Sequence, residues 1–371
     1  MRRAGCEFRQ IPLGSLDMTD APSPLEPLGP TGQPILDPLA FERLTRTHRR
    51  ELKLHCYRMM GSLHEADDLV QDTFLRAWRG RSQFDGRGSP RGWLYTIATN
   101  TCLNAIKARS AAHRILEPPD RPPTEGRATA GPAAELSWLE PYPDAELPDL
   151  VDGEPGPEAR YETREAIRLA FVAAIQLLPP RQRAALLLCD VLGWSAAETA
   201  QLLGGSTASI NSALQRARAT LAVRYPTGRP LQRSQPNRDE SLLLDRYIKA
   251  WQAADLDGFI ALLREDATYH MPPWLDWYQG RAAIHDFFRT VWSNFAGYRA
   301  VATRANGQPA VAIYARRHQD PEWRAQSLHI IEPAADGIAS LTVYVGPLGA
   351  DLFTAFGLPP TVQERWSEPQ P

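Results

Sequence analysis

Ala66-Asp67-Asp68-Leu69-Val70-Gln71-Asp72-Thr73-Phe74-Leu75-Arg76-Ala77-Trp78 carries two stripes at once. Leu63, Ala66, Val70, Phe74 and Ala77 recur at steps of three and four, which marks one buried helix face. Glu65, Asp68 and Asp72 recur at the same steps on another face, and spacing alone makes that the face of an ordinary solvated helix. The helical pattern runs from Pro38 to about Ala112 without strand-like alternation. Within it, Gln83-Phe84-Asp85-Gly86-Arg87-Gly88-Ser89 reads as a polar loop, and Pro90 stands where a helix can start. Trp93, Leu94, Ile97 and Ala98 form an apolar stripe, followed by polar and basic Thr99, Asn100, Thr101, Asn104, Lys107 and Arg109. Rings beside amides and bases suit unstacked single-stranded bases. Trp93 by itself reads first as a core tryptophan.

A second helical block spans Glu162 to Arg224. Leu177-Leu178-Pro179-Pro180-Arg181-Gln182-Arg183 leads into the apolar-striped stretch Ala184–Val191, which Gly193-Trp194 interrupts. Ser195 and Glu198 have capping-box spacing, so each can satisfy the other's end of a helix start. Gly204-Gly205 predicts a tight turn, and Ser206 can cap a second helix that buries Ile210, Leu214, Ala217 and Leu221. Two short helices about a glycine turn make a helix-turn-helix layout, although any helical hairpin looks similar. The outer face of the second helix holds Thr207, Ser209, Asn211, Ser212, Gln215, Arg216 and Arg218. Small residues admit such a helix to a major groove, where Asn and Gln can read base edges and Arg can hold phosphates.

The 371 residues suffice for two or three domains, and the net charge of −2 hides a segregation. Residues 37–115 carry 14 Lys and Arg against 8 Asp and Glu, residues 116–160 carry 3 against 11, and residues 161–233 carry 9 against 4. Two basic segments flanking an acidic one are compatible with two contacts to an anionic polymer. The expected divisions are a disordered leader (1–36), a helical domain (37–112), an acidic proline-rich linker (113–160), the helix-turn-helix domain (161–225), a short linker (226–238) and a last domain (239–365). The first linker has ten prolines between Pro118 and Pro157 and cannot fold alone. Within it, Ser137-Trp138-Leu139-Glu140-Pro141-Tyr142-Pro143-Asp144 stands out as an apolar anchor. No run approaches the roughly 18–20 apolar residues of a membrane span. Cys6, Cys56, Cys102 and Cys189 lie far apart, which predicts reduced thiols in a cytoplasmic protein without a metal site or cofactor.

The last domain opens with a helix bearing Leu243, Tyr247, Ala250, Trp251 and Ala254, then a second over Asp257–Arg264. Ala267–Met271 alternates like a strand, Arg281–Trp292 is helical, and strand-like stretches run from Tyr298 to Val345. Helices followed by a curved antiparallel sheet predict an α+β cone-shaped barrel. Such a cone can host an enzyme site, and Tyr269, His270, Asp276 and His329 are the candidates. No spacing forces them together, and a fold does not supply a function.

The first block, with His55-Cys56-Tyr57-Arg58-Met59-Met60-Gly61-Ser62, the Ala66–Trp78 stretch and Trp93-Leu94-Tyr95-Thr96-Ile97-Ala98-Thr99-Asn100, resembles region 2 of extracytoplasmic-function (ECF) RNA polymerase sigma factors. The second, with Leu178-Pro179-Pro180-Arg181-Gln182-Arg183 and Asn211-Ser212-Ala213-Leu214-Gln215-Arg216-Ala217-Arg218, resembles region 4. Tyr247–Asp255, Met271-Pro272-Pro273 and Trp277-Tyr278-Gln279-Gly280 resemble the SnoaL-like (NTF2-like) extension of some members. Across 41–360, including Asn306-Gly307-Gln308-Pro309-Ala310 and Phe356-Gly357-Leu358-Pro359, the chain is similar to the G type of that family. The fold implied is two all-α sigma regions followed by an α+β cone.

The resemblance implies that Asp68, Gln71 and Asp72 dock on the β′ clamp coiled coil of core RNA polymerase, and that region 4 meets the β flap. It implies that the loop with Phe84, Asp85, Arg87 and Ser89 captures a flipped base of the promoter −10 element. Trp93, Asn100, Asn104 and Lys107 would then follow the same DNA, while Thr207–Arg218 read the −35 element. The two elements lie about 25 base pairs, or roughly 85 Å, apart. The 48 residues 113–160 span about 40 Å as a relaxed coil and roughly 160 Å when stretched. The linker must therefore run extended on a promoter. The function expected is promoter recognition and melting, not enzymatic turnover, with the last domain regulating in cis and open to a small ligand or a regulator. A ligand-responsive one-component DNA-binding regulator is the alternative, and it leaves residues 55–109 without a purpose.

Overall fold

The computed structural model describes residues 36–84, 89–108, 114–116, 121–126, 131–133, 136–148, 166–224, 238–318, 320 and 322–363. Asp85, Arg87 and Arg109 lie outside the described residues.

Among the described residues the first block holds three α-helices, α1 (Pro38–Met60), α2 (Leu63–Gly80) and α3 (Pro90–Ala108). Asp37 caps α1 by accepting from the Ala40 N–H, and Pro38 occupies its first turn. Gly61 ends α1 at φ +71, and Ser62 caps α2 from the next position, so two helices join through two residues. Their core holds Leu52, Cys56, Met59, Ala66, Val70, Ala77, Leu94 and Ala98. His55 is buried between α1 and α3, with Nε2 2.9 Å from Thr99 Oγ1.

The second block begins with α4 (Leu169–Gln176) and α5 (Pro180–Leu186), which continues as one wide turn to Val191. The helix-turn-helix pair is α6 (Ala196–Leu203) and α7 (Thr207–Arg224). Ser195 and Glu198 form the expected capping box, Gly204 turns at φ +64, and the Ser206 hydroxyl accepts from the Ser209 N–H at 3.2 Å.

The last domain holds α8 (Arg238–Gln252), α9 (Leu256–Ala261), β1 (Leu263–His270), β2 (Trp277–Gln279), α10 (Arg281–Trp292), β3 (Gly297–Ala305), β4 (Gln308–Arg316), β5 (Trp323–Ala334), β6 (Gly337–Val345), α11 (Gly346–Ala355) and β7 (Thr361–Val362). The sheet order is β2-β1-β6-β5-β4-β3, with β7 on β5. Two expectations are corrected. The sheet is mixed, because β1 pairs with β6 in parallel. The second helix stops at Ala261 because Leu262 and Leu263, both buried, pull the chain into the sheet.

Alternation along the strands sends side chains to two covered faces. Val311, Ile313, Ile331, Leu341 and Val343 meet the helices inside the cone. Ala310, Ala312, Tyr314, Leu328, Ile330 and Tyr344 share a core with α11, the linker and both helical blocks. Inside the cone, Trp251 is ringed by Phe259, Phe288, Trp292 and Tyr298 at centroid distances of 5.0–5.8 Å. The Tyr247 hydroxyl lies 2.6 Å from His329 Nδ1, and Ser327 Oγ lies 2.7 Å from Nε2.

Burial lowers the pKa of both His55 and His329 to about 3. Unfolded histidine takes up its proton near pH 6.5, so between pH 6.5 and 3 the unfolded chain binds more protons than the native one. Stability should therefore fall as pH drops through that window, by up to about 1.4 kcal/mol per pH unit for each group. Denaturant unfolding at stepped pH measures this; His329→Gln should flatten the slope, and an unchanged slope would remove His329 as a cause.

Candidate functional site

Helical spacing places Asp68, Gln71 and Asp72 on one exposed face of α2. Leu75, one turn further along, is 54% exposed and extends that face with an apolar point that the sequence pattern did not single out. Its distance from the buried stripe was the available signal. Glu65 is not part of the exposed face: it pairs with Arg114 of the linker. Asp67 turns the other way and pairs with Lys53 at 2.7 Å.

On α3, Asn100, Asn104 and Lys107 are exposed along one line, with half-buried Trp93 at its start. The Trp93 ring stands 5.2 Å from that of Phe84, so the one described aromatic of the loop meets the helix. Ser89 accepts from the Gly92 N–H at 2.9 Å and so starts α3. Arg91 forks onto Glu51 of α1, and the Tyr95 hydroxyl donates to the same carboxylate, which fixes α3 against α1.

On α7, Thr207, Ser209, Asn211, Ser212, Gln215, Arg216 and Arg218 are all exposed, while Ile210, Ala213, Leu214 and Ala217 are buried. Arg218 also forks onto Asp190 at 2.7 and 2.9 Å, so a phosphate would compete with that carboxylate for it.

The structure brings together what the sequence kept apart. The Arg58 Nε of α1 donates to the Ala166 carbonyl at 3.0 Å, and Gln176 of α4 donates to the Arg58 carbonyl at 3.0 Å. Arg183 of α5 donates to the carbonyls of Met59 and Gln176. Burial lowers the pKa of both guanidinium groups to about 10, and carbonyls solvate them. Trp194 closes the same contact by packing edge-on against Tyr95 of α3.

The acidic linker threads this junction. Glu140 caps α2, accepting from the Leu63 N–H at 2.7 Å and the Ser62 hydroxyl at 3.0 Å. Glu146 pairs with Lys53, and Asp144 accepts from the Gly307 N–H at 2.8 Å and from Arg304 at 3.2 Å. Leu139 lies so close to Gly61 that a Cβ there would come within 2.9 Å of it. The anchor read at 137–144 is thus buried, with Trp138, Leu139 and Tyr142 at 5% exposure or less.

Asn306 completes the joint from the β3–β4 turn. At φ +55 it takes the left-handed conformation that Asn tolerates better than most residues. Its side chain accepts from the Tyr142 N–H at 2.7 Å and donates to the Tyr57 hydroxyl at 3.0 Å and the Ile167 carbonyl at 2.8 Å. Beside it, Gln308 accepts from the Leu169 N–H at 3.1 Å, and Arg168 pairs with Glu332. One turn of the last domain therefore touches the first helical block, the linker and the entry to the second block.

The four cone candidates take various partners: Tyr269 packs on Phe288, His270 stacks on Trp277, Asp276 accepts from Thr124, and His329 lies between Tyr247 and Ser327. Among the described residues no group of three or more His, Cys, Asp and Glu could hold a metal, and no helix is long and apolar enough to cross a membrane.

Family models match in three places: sigma-70 region 2 over residues 44–112, sigma-70 region 4 over 168–221, and a SnoaL-like domain over 244–342. The ECF RNA polymerase sigma factor SigG of Mycobacterium tuberculosis is 43% identical over 327 residues, covering 86% of this chain and 84% of that protein. SigJ of the same organism is 31% identical over 222 residues, covering 60% of this chain and 61% of that protein. A crystal structure of M. tuberculosis SigJ shares the fold at a TM-score of 0.54 and 20% identity, covering 87% of this chain and all of that one. Two sigma regions in order, with the SnoaL-like domain behind them, set aside a one-component regulator: the chain belongs to the ECF RNA polymerase sigma factors, which direct transcription initiation at promoters.

Proposed function

We propose that the α2 face with Asp68, Gln71, Asp72 and Leu75 docks on the β′ clamp coiled coil of core RNA polymerase. In the same reading region 4 meets the β flap, α3 and the 84–89 loop open the −10 element, and α7 enters the major groove at −35. The SnoaL-like domain restrains the chain in cis. One observation carries this last step: the regions bearing both DNA faces share one core, closed by the Asn306 turn. The two DNA-facing helices, α3 of 19 residues and α7 of 18, are about 28 and 27 Å long, so even end to end they fall short of roughly 85 Å. Both faces are exposed, yet they cannot reach both elements until the joint opens. Small-ligand control of that step would act through the last domain.

Three outcomes follow. Asp68→Lys with Asp72→Lys should weaken binding to purified core polymerase by on the order of 100-fold, since two favourable charges become repulsive. Retained binding would move the polymerase contact elsewhere. Arg216→Ala or Arg218→Ala should weaken promoter binding across sequences and lower the salt slope by about one, whereas Asn211→Ala or Gln215→Ala should relax preference at one −35 position. Binding titrations at several salt concentrations separate the two classes, and four identical responses would refute the roles. Asn306→Ala should raise promoter-dependent transcription at limiting polymerase and enlarge the radius of gyration. If neither changes, the turn is not the restraint.

A further inference from the structure

Two described stretches of the linker, 121–126 and 131–133, lie on the SnoaL-like domain at a place unrelated to the Asn306 joint. The Thr124 N–H donates to the Trp277 carbonyl at 2.7 Å, and the Trp277 indole N–H donates to the Arg121 carbonyl at 3.1 Å. The Thr124 hydroxyl donates to Asp276 at 3.1 Å. Nine residues on, the Ala133 N–H donates to the Pro273 carbonyl at 2.9 Å, and Pro132 bridges to Trp274. Trp277 belongs to β2, the edge strand of the sheet, and an edge strand presents backbone groups for which an extended chain is the natural partner. Asp276 is 2% exposed, and Trp277 is backed by the stacked ring of His270. The receiving surface is thus built into the domain. The incoming chain brings Pro122, Pro123 and Pro132, whose fixed φ lowers the entropy lost on docking.

We propose that the strip Met271–Gln279 is a peptide-docking site for an extended, proline-bearing chain with a hydroxyl residue opposite Asp276, and that residues 121–126 and 131–133 occupy it until the sigma regions separate. The second clause rests on regions 2 and 4 serving the −10 and −35 elements. With the first stretch held along β2, residues 134–160 reach roughly 85 Å only when almost fully stretched, at about 90 Å. Chain tension on a promoter therefore favours emptying the site.

Hydrogen exchange on the full-length protein tests both clauses. In the free chain the amides of Thr124 and Ala133 should be protected, and Thr124→Val should speed exchange at residue 124 about fivefold, the size of one net hydrogen bond. Amides of β4 and β5 should be unchanged, which separates undocking from unfolding. In the promoter-bound holoenzyme both linker amides should exchange at least tenfold faster than in the free protein. A synthetic peptide of residues 118–135 should then bind the promoter complex at least tenfold more tightly than the free chain. Unprotected amides in the free chain would overturn the site whatever polymerase does. Protection retained on the promoter, or equal peptide affinity for both states, would overturn the release. Failure to form a holoenzyme would refute the sigma assignments and the release with them, while protection in the free chain would still decide for or against the site.

Discussion

The arrangement of the molecule hangs on the carboxamide of Asn306. It is buried and set at positive φ by the β3–β4 turn, and it presents one acceptor and two donors to three separate stretches of chain. The Tyr57 hydroxyl extends the network by donating to the Glu140 carbonyl at 2.8 Å, and the Tyr344 hydroxyl donates to the Leu139 carbonyl at 2.9 Å. Groups this deep cannot turn to water if a partner is lost, and each stranded one costs about 1–3 kcal/mol. The joint therefore holds cooperatively.

Charge is used in two opposite ways around it. The linker brings Glu140, Asp144 and Glu146, and each finds backbone N–H groups or a cation. Between the sigma regions, Arg58 and Arg183 are instead solvated by carbonyls. Neither has a carboxylate partner among the described residues, and a desolvated cation regains hydration when its contact opens, which offsets part of the apolar area lost. In the proposed cis restraint, the linker contacts would be the firm part and the contact between the regions the one that separates.

Much of this was legible in the sequence because it is local. The capping box at Ser195 and Glu198, the helix at Arg281–Trp292 and the exposed stripe of α7 follow from neighbours within one or two turns. The acidic face of α2 was visible as spacing, but the polymerase role proposed for it came from resemblance, and Leu75 was overlooked because it is the apolar member of a face picked out by its charges. The destination of the linker was not legible. Proline content excludes a core of its own but does not say which surfaces receive it. Nothing local marked Arg58 and Arg183 as buried, since their desolvation is set by residues more than a hundred positions away. The parallel β1–β6 pair was missed for the same reason, as strand order is a long-range choice.

Gly61 ends α1 where the linker and α4 cross it. A Cβ there would stand 2.9 Å from Leu139, 3.0 Å from Arg114 and 3.2 Å from Gln176, in a backbone conformation already disfavoured for other residues. Glycine and alanine codons differ by one base. A lineage carrying this fold is therefore a single nucleotide from a wedge between the sigma regions and their linker. Inheritance of restraint in such a chain depends on one missing methyl group, at a position that touches neither DNA nor polymerase in the roles proposed above.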